Sequence, residues 1–139
     1  MADIAGRRLK KHGLEDRVTL QVAAVPPLPY ADGTFDAVTM SFTLELFPLE
    51  TIPQVLSEVR RVLRAGGRFA TVSMATVGPG EHDSLLERTY KWMHRHFPHI
   101  VDCQPIEVDR LVRDAGFTVT TSTRVSMWTM PVAVILAHN

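Results

Sequence analysis

The sequence predicts an α/β domain whose sheet is mostly parallel and closes with an antiparallel strand pair. Three observations carry this. Phe35 to Phe42 is a nearly continuous apolar run, the pattern of an interior parallel strand covered on both faces. Ile52, Val55, Leu56, Val59, Val62 and Leu63 then recur on one face at helical spacing. Phe117 to Met127 and Pro131 to Ala137, rich in Thr and Val, read as two terminal strands joined by a short turn.

The remaining elements follow in chain order. Asp3 to Lys11 favours helix, with Gly13 placed as its stop and Lys10 and Lys11 in the last turn, where cations suit the helix dipole. Arg17 to Ala24 alternates Val18, Leu20 and Val22 against Arg17, Thr19 and Gln21, the period of a half-buried strand. Pro26, Pro27 and Pro29 forbid its continuation, and Tyr30 to Thr34 is turn chemistry. Thr51 and Gln54 have the spacing of a capping box, and Pro53 sits in the first helical turn, where its missing donor costs nothing. Glu58, Arg60, Arg61 and Arg64 lie on the wet side of that helix. Gly66-Gly67 is expected to end it, and Arg68 to Met74 to form the next strand. A linker with Gly78-Pro79-Gly80 precedes a helix over about Asp83 to His96, and Pro105 opens a short helix with Ile106, Val108, Leu111 and Val112 that Gly116 closes.

Composition bounds the function. A chain of 139 residues is one ordinary domain, and 45% hydrophobic with 22% charged residues excludes wholesale disorder, collagen-like and coiled-coil classes. Fifteen basic residues balance fifteen acidic ones, so no bulk field steers the molecule toward nucleic acid or anionic lipid. The lone Cys103 cannot form an internal disulfide, no apolar run approaches the roughly 20 residues of a membrane span, and the first residues lack a signal-peptide core. A reducing, cytoplasmic setting is expected.

Three phrases of the sequence resemble a known family. They are Ala24-Val25 followed by Leu28-Pro29-Tyr30, the turn and strand Asp32-Gly33-Thr34-Phe35-Asp36-Ala37-Val38, and Glu58-Val59-Arg60-Arg61-Val62-Leu63-Arg64-Ala65-Gly66-Gly67-Arg68. In order and spacing they are similar to the class I S-adenosylmethionine-dependent methyltransferases, in particular the ubiquinone/menaquinone-biosynthesis branch. Ala115-Gly116-Phe117 and the terminal strand pair look like that family's ending. The resemblance implies a Rossmann-like sheet in the order three, two, one, four, five, seven, six, with S-adenosylmethionine as cofactor and a small-molecule methyl acceptor.

The beginning departs from the family. There, a first strand feeds a glycine-rich turn beside the cofactor's amino-acid end, and an acidic residue after the second strand holds the ribose. This sequence shows neither, and its opening helix looks like the one after the family's second strand. An N-terminally truncated domain lacking the first βαβ unit is therefore expected. The competing explanations are a mis-assigned start codon, a degenerate gene, completion by another polypeptide, and re-pairing of the Val18 strand with the Phe35 strand. Without strands one and two the Val18 strand loses its neighbour and leaves backbone unpaired.

The resemblance places cofactor-binding positions at Ala24, Val25 and Ser41. Relatives commonly carry Asp or Asn where this chain has Ala24, so that adenine contact is lost; the Val25 amide can still face the ring, and Ser41 ends the buried strand. The simpler reading of Ser41 is an ordinary strand-end serine. Asp36, at the strand's start, reads as structural. Glu45 is a candidate substrate residue, since a carboxylate there would accept a proton from a nucleophile; its simpler reading is a solvated surface charge. The resemblance makes Tyr90 and His94 further substrate candidates, in an acceptor-pocket or lid insertion over 75–104; the simpler reading is a helix docked by Trp92, Met93 and Phe97 with exposed histidines. His94, His96, His99, Asp102 and Cys103 lack the paired spacing of a zinc module, so no metal is expected. Methyl transfer needs mainly in-line positioning and exclusion of water, so no catalytic triad is expected. The alternatives are a non-catalytic remnant or interaction module, as a homo-oligomer or with a partner chain completing the sheet, and, more weakly, a nicotinamide-dependent oxidoreductase, whose phosphate-binding glycine motif is missing.

Overall fold

The computed structural model describes residues 2–75, 106–127 and 130–139. The chain opens with helix α1, Ala2–Lys11. Gly13 stops it as the sequence predicts: at φ 63° it occupies a conformation that glycine reaches without strain. Its N–H donates to the Lys10 carbonyl at 3.1 Å and that of Leu14 to the Leu9 carbonyl at 3.0 Å, the paired bonds of a Schellman ending. No residue of α1 is buried.

The strand expected over Arg17 to Ala24 does not form. From Thr19 to Val25 no backbone N–H or C=O has a partner among the described residues, and Val18, Leu20 and Val22 are exposed. The alternation in the sequence is that of a strand, but a strand requires a neighbour to complete its ladder, and the strand that begins at Phe35 is not that neighbour. Re-pairing with the Phe35 strand is thereby corrected.

Four strands form one sheet: β1 (Phe35–Ser41), β2 (Leu63–Met74), β3 (Thr118–Met127) and β4 (Met130–His138), in the order β1-β2-β4-β3. β1 runs parallel to β2, with Val38 opposite Phe69 and Ser41 opposite Val72. β4 is antiparallel to both β2 and β3, as expected of the terminal pair. β1 is parallel but not interior. It is the sheet's edge, and Asp36, Ala37, Thr39 and Ser41 are exposed because only one of its faces is covered.

That covered face carries the core. Helix α2 (Ile52–Val62) buries Ile52, Val55, Leu56, Val59 and Val62, the apolar stripe read from the sequence. Helix α3 (Val108–Asp114) adds Val108 and Val112. Both pack with Phe69, Ile135 and Ala137 of the two central strands. Ile106 lies outside α3: it bridges Ala75, extending the parallel pairing rather than the helix.

Two expected helix ends differ. Thr51 makes no side-chain cap bond, because it already sits in helical conformation and its carbonyl takes the Gln54 and Val55 N–H groups; the capping box is absent, while Pro53 stands in the first turn as expected. At the other end α2 stops at Val62, not at Gly66-Gly67, which lie inside β2. A distant residue caps it. The Asn139 side-chain amide donates to the carbonyls of Arg60, Leu63 and Arg64 at 3.1–3.3 Å, and its oxygen accepts from Arg60 Nε at 3.0 Å. Gly67 is required where it stands, since a Cβ would meet the Arg64 carbonyl oxygen at 2.8 Å.

Candidate functional site

Because β1 and β2 are parallel, their carboxyl ends open on the same side, where ligands gather in open α/β sheets. Ser41 is exposed there, its carbonyl accepting the Thr43 hydroxyl at 2.9 Å. The next residue, Phe42, takes φ 49° and donates its N–H to the Val72 carbonyl at 2.8 Å, so the chain turns sharply while still tied to β2. A single 3-10 turn, Leu44–Leu46, follows.

Glu45 in that turn is not the solvated charge of the simpler sequence reading: it is 0% exposed. Oε1 accepts the Met74 N–H at 3.1 Å, binding the segment after β1 to the end of β2. Oε2 is buried and has no partner among the described residues. A buried carboxylate oxygen without a donor is costly, and such groups in native folds call for a water, ion or ligand. Its position between Leu44 and Leu46, in a stretch from Phe42 to Phe47 whose only other polar residue is Thr43, was the available signal of burial.

Ala24 is exposed, whereas Val25 is half-buried against the core, with its amide unpaired among the described residues. What holds Val25 near the body is a bracket on α2. Glu58 Oε2 accepts the Leu28 N–H at 2.8 Å; Arg61 donates to the carbonyls of Leu28 and Tyr30 at 3.0 and 2.8 Å and to Asp32 at 2.7 Å. Arg61 also grips both Glu58 oxygens, at 2.8 and 2.9 Å. Those bonds, followed by the Leu28 N–H, hold the Glu58 carboxyl down at about 2, and the same pair raises Arg61 above its usual value. The sequence places Glu58 and Arg61 simply on the wet side; the structure shows them fastening the Leu28–Asp32 turn. Arg64 and Asp36 form an ion pair at 2.6 Å, the structural role expected of Asp36.

Ser41 and Glu45 thus share one strand-end segment, and Val25 is held by the bracket beside it in sequence. Tyr90 and His94, the rest of the expected insertion after Ala75, and the cluster His94, His96, His99, Asp102 and Cys103 lie outside the described residues. Among the described residues no group of three His, Cys, Asp or Glu side chains is placed to hold a metal.

Among the described residues, Gly33 turns the chain before β1, Gly66 and Gly67 stand at the start of β2, and Gly13 and Gly116 follow helices. None of these follows the carboxyl end of a strand, where a glycine-rich cofactor turn is expected. Val25 keeps its amide unpaired among the described residues, and Ser41 is exposed at the end of β1.

Comparison with known proteins bears on this directly. The family described as "Methyltransferase domain" matches residues 1–67. That match spans the first 67 of the 139 residues. Demethylmenaquinone methyltransferase of Symbiobacterium thermophilum is 41% identical over 69 residues, which are 50% of this chain and 27% of the relative. Ubiquinone/menaquinone biosynthesis C-methyltransferase of Brucella anthropi is 34% identical over 101 residues, 72% of this chain and 36% of the relative. The chain therefore matches about a third of the length of these curated relatives. Among solved structures, a geranyl diphosphate methyltransferase in complex with S-adenosylmethionine superposes with TM-score 0.76 at 20% identity, covering 99% of this chain and 64% of that one. The [4+2]-cyclase SpnF does so with TM-score 0.75 at 18% identity, covering 99% and 62%. The fold is the Rossmann-like class I methyltransferase fold, which the cyclase shows is compatible with other chemistry.

Proposed function

We propose that this chain carries the rear portion of an S-adenosylmethionine-dependent methyltransferase acting on a small-molecule acceptor, and that its front strands and glycine-rich turn come from outside the described residues. The observation that carries this is the parallel β1–β2 end with Ser41 exposed beside a buried, half-satisfied Glu45, in a chain whose relatives are methyltransferases. In this reading Val25 offers its amide and Ser41 its hydroxyl to the adenine side, Glu45 fixes the floor between the two strand ends, and Tyr90 and His94 line the acceptor pocket. The protein's own contribution is positioning and exclusion of water. No described helix is long and apolar enough to cross a membrane. In this reading the protein works in the cytoplasm, the reducing setting that a single cysteine suits.

The test is isothermal titration with S-adenosylmethionine. This chain alone binds weakly or not at all, whereas a form extended by the in-frame coding sequence upstream of Met1 binds in the micromolar range. Absence of binding by the extended, folded form overturns the reading. The second reading, a non-catalytic remnant that pairs with a partner chain or a second copy, is favoured by exposed Ala24 and by the lack, among the described residues, of a glycine-rich turn at a strand's carboxyl end. A stable monomer on size exclusion tells against obligate pairing.

A further inference from the structure

Every donor of the Arg61 guanidinium is engaged. Nε and Nη2 bond the two Glu58 oxygens, Nη2 also bonds the Leu28 carbonyl, and Nη1 bonds both the Tyr30 carbonyl and Asp32. The main chain of the same residue takes part, its carbonyl accepting the Gly33 N–H at 2.9 Å. One residue of α2 therefore fastens the turn before β1 by side chain and backbone together. The Glu58 and Arg61 side chains are 18% and 31% exposed, so these bonds are partly sheltered from water. Tyr30 carries the hold further: its ring meets Phe35 of β1 edge-on at 4.8 Å between centroids, and its hydroxyl donates to Gln21 at 2.9 Å.

Leu28 is the point of strongest restraint, with its N–H on Glu58 and its carbonyl on Arg61. Between Leu28 and Val25 stand only Pro26 and Pro27. A proline ring fixes φ and removes the N–H, so the link is short and stiff and passes a restraint along its length. Packing does not duplicate that restraint along the link. Pro26 and Pro27 face Pro53, Gln54, Ser57 and Glu58 of α2 across an open groove of about 570 Å³. The Val25 amide is located by two things: its own side chain, half-buried against the core, and the Leu28 anchor three residues on.

We propose that Glu58 and Arg61 are positioning residues for the adenine side of the ligand, holding the Val25 amide in place through the stiff Pro26-Pro27 link. The inference rests on the methyltransferase reading for the role of Val25 and adds to it what sets that amide's place and hence the affinity. A wall already ordered before binding does not charge its ordering against the ligand. Arginine is required at 61 because acceptors in several directions call for a planar fork of donors; a lysine offers three donors on a point charge.

The test follows adenosine binding to the isotope-labelled chain by amide chemical shifts. In the wild type, adenosine shifts the Val25 and Ser41 amides. Arg61→Lys keeps the charge beside Glu58 but not the fork, and its affinity for adenosine falls about tenfold, the order expected for loss of a charge-assisted hydrogen bond. Its Leu28 amide also exchanges faster. Glu58→Gln, which keeps one acceptor for Leu28 but no longer binds Arg61 as an ion pair, weakens adenosine in the same direction. Phe69→Leu, a destabilising change in the core, keeps the wild-type affinity although its melting temperature falls. Equal affinity in the wild type and both bracket variants overturns the positioning role and leaves the methyltransferase reading standing. Equal loss in Phe69→Leu also overturns it, since stability alone would then set the affinity. A wild-type chain whose Val25 and Ser41 amides ignore adenosine overturns the adenine-side reading and this inference with it.

Discussion

The two amphipathic helices, α1 and α2, are of similar length, yet α2 buries five residues and α1 none. The difference lies in what each meets. α2 lies on the covered face of a sheet and contributes to one continuous core. Among the described residues α1 packs against the segment that follows it, where Ala5, Leu9, Leu14, Val18 and Leu20 help line a small apolar groove of about 310 Å³. Local sequence signals suffice to write a helix; burial needs a second surface, because most helix stability in proteins comes from packing.

The contrast is sharpest in the core. Phe69→Ala is expected to destabilise by ~3–5 kcal/mol and Leu56→Ala by ~2–5 kcal/mol, since both side chains are fully enclosed. Urea denaturation followed by circular dichroism measures both.

The bracket between the two regions comes next. Arg61→Ala frees the Leu28–Asp32 turn from α2, and about tenfold faster exchange of the Leu28 amide is expected, with a lower melting temperature. The pH dependence has a definite sign. Glu58 lies at about 2 in the fold against an ordinary 4.5, so its contribution is fully present above about pH 4.5 and is lost as pH falls toward 2. Glu58→Gln flattens that acid limb in a melting series from pH 2 to pH 6.

Asn139→Ala is expected to cost about 1 kcal/mol, by removing the amide that the Arg60, Leu63 and Arg64 carbonyls share where α2 passes into β2. Val22→Ala is the smallest, within about 0.5 kcal/mol, because the side chain touches little in this chain.

Much of the body was legible in the sequence because periodicity there coincided with burial. The α2 stripe, the Gly13 stop and the terminal strand pair all stand where the pattern puts them. The failures share a cause. Arg17 to Ala24 has a strand's alternation and β1 the composition of an interior strand, but pairing and cover depend on neighbours that the segment itself does not encode. Asn139 capping a helix 77 positions before it in the chain, and Glu58 and Arg61 fastening a distant turn, are likewise tertiary facts with no local signature. Of the expected site, Ser41 stands exposed at the strand end and Val25 keeps its amide free, while Glu45 reverses its simpler reading by being enclosed.

Hydrogen exchange of the unliganded chain, read by mass spectrometry, addresses the division between the paired central strand β2 and the segment Thr19–Val25, whose backbone has no partner among the described residues. Amides from Phe69 to Ser73 should exchange only through global opening, while those from Thr19 to Val25 should exchange as fast as in an unstructured peptide. Equal protection of both stretches would contradict it.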